Sequence, residues 1–310
     1  MNIAMRNGIR FGLRFSMLCL LAGLLTVLPA SLARAFHVPP GAEGITLGGI
    51  PLHLTGRLHV EEIRDGLYYV TEGVYQSIFL VGRRSVILVD APPSLIQTPA
   101  GDTLPGAIAS VTPNPITHLV YSHKHKDHIG GANVIQAAFP DVEIFAHVNT
   151  IRALQEAHAV DPDDPRPIPT VRVLRRRVIL VGHQILDLSN RGPFHAPGDL
   201  FNYAPRQKVL MAVDVVFPGW VPFANLALTT NVPGFIKAHN TILNFDFETF
   251  VGGHLTRLGT RADVEEAKDY VLAVQAAAGQ ALGTIPSLQS PVPGSDLRPQ
   301  PLRPVRQVPE

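Results

Sequence analysis

The chain has 310 residues and nearly balanced charge, 26 Lys+Arg against 25 Asp+Glu. That balance gives no basic surplus to attract a nucleic-acid backbone, so a nucleic-acid partner is not expected. The single cysteine, Cys19, excludes a disulfide framework within the chain.

The first segment reads as an export signal. Met1 to Ser16 carries Arg6, Arg10 and Arg14 and no acidic residue, and Met17 to Leu32 is almost wholly apolar. Ala33-Arg34-Ala35 then supplies a small-residue cleavage pattern, so residues 1–35 are expected to be removed by a cut near Ala35. The apolar run is short for a bilayer span, so no membrane anchor is expected after cleavage. No small residue directly precedes Cys19, which argues against a lipoprotein site. The protein is thus expected in the periplasm or outside the cell. Losing Arg6, Arg10, Arg14 and Arg34 leaves 22 basic against 25 acidic residues, a net charge of about −3. Losing Cys19 leaves no thiol nucleophile and no thiolate metal ligand.

Residues 36–284 are long enough for one large domain. Phe36 to Leu54 is a Gly- and Pro-rich lead-in. Leu67–Thr71, Ser77–Val81 and Ser85–Val89 are short apolar or alternating runs separated by turn residues, which predicts an antiparallel meander ending at Asp90. Leu104–Val111 reads as a helix and Ile116–Tyr121 as a buried strand. Gly131–Ala138 reads as a helix, Val142–Ala146 as a strand, and Asn149–Ala159 as a helix capped near Asn149. The Pro-rich stretch Asp161–Pro169 cannot hold regular structure. Strand patterns return over Val171–Leu188, Leu200–Tyr203, Val209–Val213 and Phe250–Gly253. A last helix is predicted over Ala262–Ala281, capped by Thr260 with Asp263 three residues on. Its stripe of Val264, Ala267, Val271, Val274 and Ala278 is expected to cover a sheet. Residues 285–310 are rich in Pro and Arg and are read as a disordered tail.

One stretch carries the chemistry. Tyr121-Ser122-His123-Lys124-His125-Lys126-Asp127-His128 puts three imidazoles and a carboxylate into six residues at the end of a predicted strand. Imidazole and carboxylate are good zinc ligands, at about 2.0–2.2 Å. Neighbours in an extended or turning backbone point different ways, so His123 and His125 could serve one metal while Asp127 and His128 serve another. Downstream, His195, Asp214 and His254 also sit at strand ends or adjoining turns. Asp90 stands at an earlier strand end, and Asp199 follows Gly198 as a turn former.

With these landmarks in order, the chain resembles the metallo-β-lactamase-fold hydrolases over about Gly66 to Leu282. The resemblance implies an α/β fold: an αβ/βα four-layer sandwich, two mixed sheets face to face with helices outside. It implies two Zn2+, with iron or manganese as other candidate metals. His123, His125 and His195 would hold the first. Asp127, His128 and His254 would hold the second, and Asp214 would bridge them. Asp127 counts as both ligand and catalytic residue, and Asp90 supports the ligand shell. The implied reaction is attack of a metal-bound hydroxide on a carbonyl of an ester, lactone, thioester or lactam. No G-x-S-x-G is present to suggest a serine nucleophile. An Asp at position 214 resembles lactonases, thioesterases and broad esterases more than the main zinc β-lactamases, leaving β-lactam hydrolysis as a side activity.

Phe217, Trp220 and Phe223 are candidates for an apolar wall beside the metals, and Tyr203 for an oxyanion-side donor. The expected partner is a small carbonyl substrate with an apolar group. Two other readings stay open: a mononuclear iron oxygenase on the same fold, using His123, His195 and Asp214, and a metal-binding module without catalysis.

Overall fold

The computed structural model describes residues 44–47 and 49–284. The expected signal 1–35 and tail 285–310 lie outside the described residues.

A two-stranded ribbon, β1 (Thr46–Leu47) with β2 (Ile50–Pro51), and the single turn α1 (Leu52–Thr55) precede the main fold. β3 (His59–Arg64), β4 (Leu67–Thr71), β5 (Gln76–Val81) and β6 (Val86–Val89) form the expected antiparallel meander. After β6 the chain alternates. The order is α2 (Pro93–Ile96), α3 (Leu104–Val111), β7 (Ile116–Val120), α4 (Lys126–Ile129), α5 (Ala132–Ala138), β8 (Glu143–His147), α6 (Val148–Val160) and β9 (Val171–Val173). β6, β7, β8 and β9 pair in parallel, because crossover helices return the chain each time to the same end of the sheet. The result is a seven-stranded mixed sheet in sequence order, β3 to β9.

The second sheet has five strands in sequence order: β10 (Arg176–Val181), β11 (Gln184–Ser189), β12 (Phe201–Ala204), β13 (Val209–Met211) and β14 (Thr249–Val251). Only its last pair, β13 with β14, is parallel. The helix α7 (Val232–Leu243) lies in that crossover, and α8 (Arg261–Gly283) ends the described chain.

Period-two alternation sorts the side chains into layers. Leu67 and Tyr69 of β4, Ile87 and Val89 of β6, and Val209 and Met211 of β13 meet in one core between the sheets. Their sequence neighbours point the other way. Val70, Val86 and Leu88 pack against Leu95, Leu104, Ile108, Ile135 and Leu154 of the helices on the first sheet. Leu210, Ala212 and Phe250 pack against Phe235, Ala238 and Ile242 of α7 and Val264 and Val271 of α8. The architecture is the expected four-layer sandwich, helix–sheet–sheet–helix.

Two local expectations need correction, and one helix was not expected. α6 is capped by His147, whose ring accepts from the Asn149 N–H, so the cap lies two residues before Asn149. The stripe on α8 covers the sheet only as far as Val271: Val264 and Val271 are buried, whereas Val274 and Ala278 face solvent. The α7 helix was not anticipated, although Asn231 accepts from the Gly234 N–H as its cap and Pro233 opens its first turn. The capping box of α8 is as expected, with Thr260 and Asp263 bonded reciprocally.

Candidate metal centre

The His-rich loop follows β7, at the carboxyl end of the parallel strands. There His123 lies in a bend, and His125, on extended backbone, caps the one-turn helix α4 that carries Asp127 and His128. This change from bent and extended to helical backbone sends the two pairs of side chains to different places. His123 and His125 join His195 and Asp214, while Asp127 and His128 join His254. Within each group the donor atoms lie within 4.8 Å of one another. All seven residues singled out from the sequence are therefore brought together, in the two groupings expected.

Asp214 adjoins both groups. Its Oδ2 lies 3.4 Å from His123 Nε2, 3.2 Å from His195 Nε2 and 3.2 Å from His128 Nε2. Its Oδ1 is 2.9 Å from His254 Nε2. Elsewhere, ring nitrogens face ring nitrogens: His125 Nδ1 and His195 Nε2 are 2.9 Å apart, and His128 Nε2 and His254 Nε2 are 3.1 Å apart. His123 Nε2 is buried with no hydrogen-bond partner. Converging imidazole lone pairs around a buried carboxylate suit divalent cations, and the donor set of nitrogen and oxygen without sulfur fits zinc and its first-row neighbours. Burial and the adjacent imidazoles hold His123 well below the usual histidine range and bring His125 down to about 4. Both stay neutral and keep a lone pair for a metal. Burial works against charge on Asp214 and His128 too, but here it loses. His128 and the His195 and His254 contacts keep Asp214 ionised, and Asp214 in turn lifts His128 to about 9.

The surrounding backbone is built to hold this geometry. Asp90 Oδ1 accepts from the Ser122 N–H at 2.8 Å, and Oδ2 lies 3.9 Å behind His128 Nδ1, so one carboxylate steadies both the loop and a ring. Asp199 does more than turn the chain: its carboxylate accepts the N–H groups of Phe194, His195 and Ala196 at 2.8–3.0 Å and fixes the His195 loop. Gly253 sits at φ +86°, where a Cβ would lie 2.6 Å from Val213, which lets the His254 turn close against the Asp214 strand.

Another support lies in the Pro-rich stretch. Arg166 and Asp164 form a buried ion pair, and Arg166 Nη1 donates to the Lys124 carbonyl between His123 and His125 at 2.5 Å. The Tyr121 hydroxyl donates to the Pro167 carbonyl at 3.1 Å. The sequence reading missed this clamp. Its only local signal was an Asp-x-Arg pair inside a segment too rich in proline to be a helix or strand.

A cleft of about 650 Å3 opens over the donor groups, and Val74, Tyr75, Phe223, Ala224, Ala227 and Leu228 form much of its wall. Of the aromatic candidates, Phe223 reaches the cleft, with its ring 5.2 Å from His254. Phe217 is buried beneath it, ring centroids 4.5 Å apart. Trp220 is not among the residues that line the cleft. It sits 40% exposed on the turn that its N–H closes to the Phe217 carbonyl. Tyr203 is also directed elsewhere: its hydroxyl donates to the Asp246 carbonyl at 2.6 Å and its ring packs on Phe245, on the helix side of the second sheet. Of the wall expected at Phe217, Trp220 and Phe223, Phe223 alone lines the cleft, joined by the turn after it, where Asn225, Leu226, Ala227 and Leu228 all have left-handed backbone, φ 52–60°.

Comparison with known proteins settles the family. The Metallo-beta-lactamase superfamily model matches residues 70–257, a span that contains all seven donor residues. The chain belongs to this superfamily. Two solved structures share the fold at 17% identity: a metallo-beta-lactamase from Pontibacter korlensis, with TM-score 0.55 over 70% of this chain and 99% of that one, and a double mutant of the sec-alkyl sulfatase PisA1, with TM-score 0.56 over 72% of this chain and 43% of that one. The alpha subunit of 2,4-dinitroanisole O-demethylase from Nocardioides sp. (strain JS1661) is 28% identical over 207 residues, 65% of this chain. The matched stretch spans 58% of that relative's length. Superfamily membership and the two donor groups together make this a divalent-metal site.

Proposed function

We propose that this protein is a hydrolase that uses two divalent cations, zinc in the first instance, to cleave a small substrate bearing an apolar group. The observation that carries the proposal is the pair of donor groups sharing Asp214 at the base of an open cleft whose far wall is apolar. Bound cations at these positions supply Lewis acidity and lower the pKa of water to near neutrality. The chain's own part is to fix the donor atoms, keep His123 and His125 neutral, and exclude water with Phe223 and the turn after it. An ester, lactone, thioester or lactam suits such a site. 2,4-Dinitroanisole, the small uncharged aryl ether named for the Nocardioides relative, belongs in the same panel.

Two complete donor groups favour the dinuclear reading over a mononuclear iron oxygenase, which would leave His128 and His254 without a purpose. The export signal completes the proposal: the working enzyme lies in the periplasm or outside the cell, cut near Ala35. Among the described residues no helix is long and apolar enough to cross a membrane.

The test is metal analysis of purified protein combined with the substrate panel. About two zinc equivalents are expected, with turnover lost to chelator and restored by zinc. One tightly bound iron with substrate-dependent oxygen uptake would overturn the hydrolase reading. Mass spectrometry of exported protein should find the new N-terminus near residue 36, and an intact Met1 on active enzyme would remove the export step.

A further inference from the structure

We propose that the Tyr75 hydroxyl is the hydrogen-bond donor to the departing oxygen of the substrate, an inference that rests on the hydrolase reading above. Tyr75 lines the cleft on the side of the second donor group. Its ring lies 4.6 Å from that of His254 and 5.6 Å from that of His128, edge-on to the latter.

The placement is rigid. Tyr75 forms a β-bridge with His254, and the flanking backbone is bonded on both sides: Gln76 N–H to the Gly253 carbonyl at 2.8 Å, and Leu255 N–H to the Val74 carbonyl at 2.7 Å. Glu72 accepts the Tyr75 N–H at 3.1 Å and is itself held by the Ser94 hydroxyl at 2.6 Å. A hydroxyl held this way is preorganised for charge that develops during reaction.

Elimination gives the role. Outside the two donor groups, the cleft-lining side chains with an N–H or O–H to give are Tyr75 and Lys126. Lys126 leans away, its Nζ 3.7 Å from Asp164 and 4.0 Å from Asp161. A developing oxyanion next to the donor groups has cations to balance it. A departing alkoxide or phenoxide on the opposite side of the reacting carbon needs a separate donor, and Tyr75 remains.

The experiment compares wild type and Tyr75→Phe, both zinc-loaded, on phenyl acetate and 4-nitrophenyl acetate. The substitution keeps the ring on His254 and removes only the hydroxyl. For phenyl acetate kcat should fall about 100-fold, the scale of losing one preorganised donor. For 4-nitrophenyl acetate the fall should be below about threefold, because an electron-poor phenoxide departs without help. KM and zinc content should not change. Equal losses on both esters, no loss on either, or zinc missing from the variant would overturn the role of Tyr75 while leaving the hydrolase reading intact. A wild type silent on both esters would instead overturn the hydrolase reading, and this inference with it.

Discussion

Single residues at this site do jobs that their identity alone does not announce. Asp90, directly after β6, and Asp214, in the turn after β13, both have left-handed backbone, φ 63° and 64°. Such conformations cost non-glycine residues about 1–3 kcal/mol and persist only where surroundings enforce them. Here the enforcing contacts are the Ser122 amide on Asp90 and the Gly252 carbonyl that accepts the Asp214 N–H. Arg166 is the residue whose removal should reveal most. Arg166→Ala takes the guanidinium from the buried Asp164 carboxylate and leaves it the residue-166 N–H and Lys126 Nζ at 3.7 Å, so the cost should fall below the roughly 3–5 kcal/mol of a fully unpaired buried charge. It also frees the Lys124 carbonyl in the metal loop. The double variant Asp164→Ala/Arg166→Ala removes the carboxylate as well, so stability should largely recover while metal binding does not. Titration with a competing chelator should show zinc affinity down about 10–100-fold in the double variant, the usual cost of losing a residue that orients ligands. Wild-type affinity in that variant would mean the clamp serves folding alone.

At the scale of elements, the irregular ones hold the site and the regular ones carry it. The meander and the strand–helix alternation were legible because apolar runs and turn residues are local signals, and β4 and α3 match their expected ranges. The α7 helix was missed because its sequence mixes Pro, Gly, His and Asn between apolar residues, and only packing of Phe235, Ala238 and Ile242 on the second sheet stabilises it. The segment 217–228 was recognised as apolar, but which aromatic faces the donor groups depends on a tight turn at Phe217–Trp220. Phe223→Ala should therefore lower kcat/KM for long-chain esters by about 1–3 kcal/mol of transition-state binding, the worth of one apolar side chain. Acetyl esters should lose much less, and Trp220→Ala should leave both unchanged. Parallel kinetics on the three proteins decide the matter. A loss in the Trp220 variant with none in the Phe223 variant would reverse the assignment of the wall.

For the whole molecule, the donor residues come from both sheets. His123, His125, Asp127 and His128 follow β7 of the first, and His195, Asp214 and His254 adjoin β12, β13 and β14 of the second. Cations held between them would join the two halves of the sandwich. Metal at 1,000 times its dissociation constant would stabilise the fold by about 4 kcal/mol, equivalent to about 10 °C for a domain of this size. Thermal unfolding with and without chelator should show that drop, and an unchanged midpoint would mean that the sheets close without help from metal. The sequence by itself determined the donor set, because three imidazoles and a carboxylate within six residues form a local pattern and strand ends are local features. The resemblance those residues carry implied the sandwich, and the order of strands and helices agrees with it. Only the tertiary structure decided that Asp199 and Arg166 hold the loops, that Trp220 and Tyr203 lie off the cleft, and that Tyr75 stands over the donor groups. Asp199 and Trp220 act through contacts three to five residues away, whereas the others depend on contacts between segments 40 to 180 residues apart, such as Arg166 with Lys124 and Tyr75 with His254. No local pattern encodes these long-range contacts, because they exist only once distant elements have packed.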